Sequence, residues 1–79
     1  MKIHPIYSEL KQRLSKYDNV LFTLEIQGAL LNDSSLFWYN QAKESYHNMV
    51  IWCNCGNREM FDFTESNFCF AVTKAINLI

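Results

Sequence analysis

Apolar positions recur along this chain in two rhythms. Ile6, Leu10, Leu14 and Tyr17 are spaced three and four apart, with Glu9, Lys11, Arg13 and Lys16 mostly off that stripe. Such spacing lines one face of a helix, and Pro5 suits a first helical position because its missing N–H would be unpaired there anyway. The pattern predicts a helix over 5–16, broken at Tyr17-Asp18-Asn19. From residue 20 to 30 the rhythm changes to alternation. Val20, Phe22, Leu24 and Ile26 fall on one side, and Thr23, Glu25 and Gln27 on the other, as in a half-buried antiparallel strand.

The same reasoning continues to the C-terminus. Asn32-Asp33-Ser34-Ser35 is a turn cluster, followed by a second strand over about 36–41 that opens on Phe37-Trp38-Tyr39. Residues 42–46 fit a loop or a short helical turn. A third strand covers about 48–54, Gly56-Asn57 suits a two-residue type II′ hairpin, and a fourth strand covers about 59–63. Thr64 then caps a final helix over about 65–78, with Phe63 and Phe68 at the two positions of a hydrophobic staple. Asn67 stands where a full capping box would have Glu or Gln. Phe68, Val72, Ala75, Ile76 and Ile79 form this helix's apolar stripe. The expected fold is therefore α+β: helix, four-stranded antiparallel β-meander, helix, with both helices mainly on one face of the sheet.

Register converts that fold into faces, because directly paired residues share a side. With Gly56-Asn57 as the turn, Val50, Trp52, Phe61 and Phe63 lie under the helices. In the first hairpin, Leu30 pairs with Phe37 and Gly28 with Tyr39 on the side of Phe22 and Ile26; Leu31 pairs with Leu36 and Ala29 with Trp38 opposite. A three-residue loop would invert that hairpin. The far side then carries Leu31, Leu36, Trp38, Met49, Ile51 and Met60 among Thr23, Glu25, Gln27 and Asp62. Two short helices cover one side of such a sheet, and an apolar patch left open on a small protein marks an interaction site. One helix on each side, or a curled sheet, would instead bury these residues.

Composition narrows the class. The chain has 79 residues, 49% hydrophobic and 15% aromatic, which suits one compact domain spanning 1–79 with a rich core for its size. Two glycines and one proline argue against disorder or a long linker. Seven basic against eight acidic residues give a net charge of −1. Nucleic-acid binding normally requires a basic excess, and a DNA mimic would require more carboxylates. No apolar run approaches the ~20 residues of a membrane span, and Met1-Lys2-Ile3-His4-Pro5 lacks a signal-peptide core. Three cysteines, an odd number, fit a reducing, cytoplasmic setting better than a disulfide framework.

Candidate chemistry is sparse. Cys53 and Cys55, with Cys69, His47 and His4 as further ligands, are weak candidates for a structural zinc site. A strand would aim Cys53 and Cys55 to one side, but zinc pairs usually stand two to four residues apart, and free thiols are the favoured reading. His4 reads as a cap before the first helix. Cys55 and His47, at opposite ends of a strand, would lie roughly 25 Å apart, too far for a nucleophile and its base. Glu65 has a sufficient role at a helix start, and no glycine-rich phosphate loop is present. The reading is non-enzymatic, with no cofactor.

The expected function is stoichiometric protein binding, as an inhibitor, immunity factor or adaptor. An anti-defence product of a mobile element, of the anti-CRISPR type, is an analogy of size and build alone. The residues assigned to the contact are Trp38, Leu36, Ile51, Met49 and Met60, with Glu25 and Asp62 at the rim. Homodimerisation through the open side fits the same reading. The alternatives are a single-stranded nucleic-acid reader stacking bases on a sheet face and a small zinc domain.

Overall fold

The computed structural model describes residues 4–28 and 33–79, and among these it contains four α-helices and no strand. They are α1 (Tyr7–Ser15), α2 (Asp18–Gly28), α3 (Asp33–Cys55) and α4 (Arg58–Asn77). The α+β meander is thereby overturned: the segments expected as strands over 20–30, 36–41, 48–54 and 59–63 are helical wherever they are described. The parts of the first-hairpin register that involve Ala29, Leu30 and Leu31, and the start of the turn at Asn32, lie outside the described residues.

A single spacing explains the bundle. Leu10, Leu14, Tyr17, Leu21 and Leu24 stand four and three apart; so do Ser35, Tyr39, Ala42, Tyr46, Met49 and Cys53 in α3, and Phe61, Thr64, Phe68, Ala71 and Ala75 in α4. Nearly all these side chains are buried or half-buried in the core, as the seam of packed antiparallel helices requires. Ala42, Ala71 and Ala75 are small and fully or almost fully buried, which lets α3 and α4 approach closely. Phe68 fills the junction, with the Tyr17 ring 4.8 Å away and the Tyr46 ring 6.2 Å away. The result is a rod of 45 × 19 × 15 Å.

The joint between α1 and α2 is a tightened turn. Lys16 keeps right-handed helical angles, and the N–H groups of Lys16 and Tyr17 reach back three residues to Arg13 and Leu14. Leu21 N–H then donates to Tyr17 O at 3.0 Å, and the apolar register continues unbroken. Tyr17-Asp18-Asn19 bends the chain without stopping the helix.

Gly56-Asn57 is a turn, but between helices. Gly56 has φ +69°, its N–H donates to Cys53 O, and Asn57 N–H donates to Trp52 O; this is a Schellman ending. Asn57 then caps α4, its side-chain oxygen accepting from Met60 N–H at 3.2 Å. Thr64, expected as the cap, is inside α4 and donates back to Met60 O and Phe61 O. The expected staple is absent, since Phe68 is buried and Phe63 faces solvent.

A Cβ added at Gly56 would meet His4 Cβ at 3.1 Å, in a backbone region that L side chains disfavour. Gly56→Ala is expected to cost about 1–2 kcal/mol through that left-handed conformation. A urea melt checks it; unchanged stability would mean the link readily adopts another geometry.

Candidate protein-binding face

On a helix, successive side chains turn by about 100°, so Phe37-Trp38-Tyr39 fans outward and does not alternate between two sides. Tyr39 enters the core, Trp38 lies half-buried at its edge, and Phe37 stands in solvent. Trp38 meets Phe37 edge-on at 5.2 Å and Phe70 of α4 edge-on at 5.4 Å. Lys74 Nζ lies 5.4 Å over the Phe70 ring. Three aromatic rings thus bridge α3 and α4 on their outer side.

From these rings an open groove runs between the helices, lined by Gln41, Glu44, Ser45, Asn48, Asn67 and Ala71 beside Trp38 and Phe70. Its volume, about 240 Å³, falls below the ~300–1,000 Å³ of small-molecule pockets. Helical spacing extends the same face. Phe37, Gln41, Glu44, Asn48 and Ile51 form one stripe on α3, and Met60, Phe63, Asn67, Phe70 and Lys74 one on α4. Phe37, Phe63 and Phe70 are 54%, 62% and 55% exposed, and Ile51 and Met60 are exposed as well. The face is apolar at both ends and rich in amides between them.

The opposite side of α4 is tied to α1 by charge. Arg13 pairs with Asp62 at 2.6 Å and with Glu65, and Glu65 also accepts from the Tyr17 hydroxyl at 2.6 Å. Arg58 reaches Glu9 at 3.4 Å and Asp62 at 3.8 Å. Asp62 Oδ1 is buried and close to the guanidinium without an aligned hydrogen bond, so its charge is balanced while its lone pairs are not. On the α3 side, the Tyr46 hydroxyl donates to Asp18.

The residues assigned to a sheet face are scattered by the helical fold. Trp38, Ile51 and Met60 belong to the α3–α4 face. Met49 is fully buried in the core. Leu36 is exposed one position away from Phe37, and Glu25 lines a separate cleft with Leu21, Tyr39, Lys43 and Tyr46. Asp62 belongs to the Arg13 network. Phe37, Phe63 and Phe70 carry the face but were not in that set: the sheet register put Phe37 and Phe63 under the helices. Their signal is the stripe Met60, Phe63, Asn67, Phe70 at spacings of three, four and three. Phe22 and Ile26 also protrude from α2; they adjoin 29–32 in sequence, whereas the α3–α4 face is described throughout.

The thiols separate for the same reason. Cys53 and Cys55, two apart, point to nearly opposite sides of α3; Cys53 is buried and Cys55 exposed. Burial pushes the Cys53 thiol above its usual pKa. Cys69 is exposed on α4 with its Sγ 3.8 Å from the Tyr17 hydroxyl, and His47 is exposed on α3. Among the described residues no three His, Cys, Asp or Glu side chains are grouped to hold a metal ion. His4 Nδ1 accepts from Ile6 N–H at 3.2 Å, ahead of α1. Among the described residues no helix is long and apolar enough to cross a membrane.

Tyrosine ionisation gives the bundle an alkaline limit. Burial, and then the hydrogen bond to the Asp18 carboxylate and its charge, push the Tyr46 pKa from 10.0 up to about 12. Burial raises Tyr39 and Tyr17 in the same direction. A pKa raised by folding means a contribution fully present below about pH 10 and lost as the pH rises through about 12. Stability is expected to fall over that window, and to fall less in Tyr46→Phe. Thermal melts of both proteins across the window check this, and parallel curves would remove the Asp18–Tyr46 contribution.

Compared with models of protein families, with curated proteins and with solved structures, the chain finds no match.

Proposed function

We propose that this chain is a small, non-catalytic protein-binding module that acts stoichiometrically, as an inhibitor or regulator of another protein, through the α3–α4 face. The observation that carries this reading is the row of Phe37, Phe63 and Phe70, each more than half exposed on a rigid helical hairpin. Leaving aromatic surface in water is unfavourable, and aromatics with Met are enriched at the centres of protein interfaces. Amides between the two apolar ends supply donors and acceptors that orient a partner. Glu44 offsets Lys74 on this face, which favours a protein partner over a polyanion. The base-stacking alternative was built on a sheet, and the described residues are helical. The three free thiols favour a reducing, cytoplasmic setting for this activity.

Affinity capture from the native host tests the reading, with wild-type protein as one bait and the double variant Phe37→Ala/Phe70→Ala as the other. A protein retained at a fixed ratio by the wild type and lost from the variant upholds it. Identical retention by the two baits overturns it.

A further inference from the structure

We infer that a second copy of this chain occupies the α3–α4 face, antiparallel, about a two-fold axis passing beside Glu44 and Asn67. The inference rests on the protein-binding reading above and names one occupant for the same site. A two-fold contact presents one patch to itself, so each residue must meet a chemically suitable counterpart after reversal. The outer stripe of α3 meets that condition: Phe37, Gln41, Glu44, Asn48, Ile51 runs apolar, amide, carboxylate, amide, apolar. Reversal lays Phe37 against Ile51 of the second copy and Gln41 against its Asn48. Side-chain amides both donate and accept, so that polar pair is satisfied in either direction. On α4, Phe63 and Phe70 flank Asn67 on either side.

Area and charge agree with this occupant. A side of 45 × 19 Å presents roughly 850 Å², against about 800 Å² per partner in a standard interface. A net charge of −1 sets little long-range repulsion between copies. The one like-charge meeting is Glu44 with its own counterpart near the axis. That pair gives the contact a signature a foreign partner would not share. A partner that offered a cation to Glu44 would lose affinity when the charge is removed, whereas the second copy gains.

Sedimentation equilibrium across a concentration series tests the inference on the full chain. Wild type is expected to show a reversible monomer–dimer equilibrium. Glu44→Gln is expected to tighten it about threefold by removing the like-charge pair. Phe70→Ala is expected to weaken it about thirtyfold, as loss of a central aromatic does. Circular dichroism verifies that both variants, altered at exposed positions, stay helical. A monomer at every concentration overturns the inference, as does a dimer that Glu44→Gln loosens or that Phe70→Ala leaves unchanged. If the chain is monomeric while a captured protein still distinguishes the two baits, the second copy is excluded and the protein-binding reading stands. A dimer behaving as described, with baits that capture alike, leaves the second copy and removes the foreign partner.

Discussion

Phe68→Ala is expected to destabilise the bundle by about 3–5 kcal/mol, the range for truncating a buried aromatic. The side chain is 1% exposed and contacts Tyr17 and Tyr46, so it joins α4 to the α1–α2 joint and to α3 at once. Neighbouring rings on three sides are themselves anchored, Tyr17 to Glu65 and Tyr46 to Asp18, and cannot readily collapse into the vacated space. A domain of this size holds only about 5–15 kcal/mol in total, and each kcal/mol shifts the melting midpoint by roughly 4–8 °C. The variant should therefore melt some tens of degrees lower. Phe70→Ala is the control, because it removes the same atoms from a ring that is more than half exposed. Chemical denaturation of the two variants would expose an error: equal losses would mean that Phe68 does not hold the three helical segments together.

The contrast between Phe68 and Phe70 also explains what the sequence reveals and what it hides. The helix over 5–16 is legible because Ile6, Leu10, Leu14 and Tyr17 fit no period but the helical one. Residues 20–26 fit two. Val20, Phe22, Leu24 and Ile26 alternate, yet Leu21 then falls on the polar side, and that misfit is the evidence for a helix. In the fold Leu21 and Leu24 turn inward while Phe22 and Ile26 stay in solvent. A second misfit is the shortage of breakers. Three meander turns need residues that accept turn geometry, but no Gly or Pro lies between Gly28 and Gly56. The position of the Gly56 turn is legible and its type is not, since a left-handed glycine serves a hairpin and a helix ending alike. The idea of an exposed apolar face carries over from one fold to the other. Its membership does not, because a period of 2 and a period of 3.6 send different neighbours of Trp38 to the surface. The build on which the anti-CRISPR analogy partly rested goes with the sheet.

Arg13→Ala is expected to cost about 2–3 kcal/mol, somewhat below the ~3–5 kcal/mol for breaking a fully buried pair because water still reaches these groups. Arg13 and Glu65 side chains are 24% and 17% exposed. Arg13 also meets Asp62, and its guanidinium lies 5.2 Å from the centre of the buried Phe61 ring. Removing it leaves Glu65 with the Tyr17 hydroxyl alone and Asp62 with Arg58 at 3.8 Å. Two carboxylates one turn apart then repel each other at the edge of the core. Truncating Glu65 as well removes one of them, so Arg13→Ala/Glu65→Ala should cost less than the sum of its parts, by about 1–2 kcal/mol. Replacing the pair with Arg13→Met/Glu65→Leu should restore most of the loss, because apolar side chains need no partner. A double-mutant cycle in urea reads the coupling directly, and a value near zero would mean that the ion pair forms without holding α1 to α4. A measured coupling together with a stable Met/Leu variant would assign the pair a different role. It would fix how α1 is rotated against α4, keeping the charged side of the hairpin turned inward and the aromatic side free for a partner.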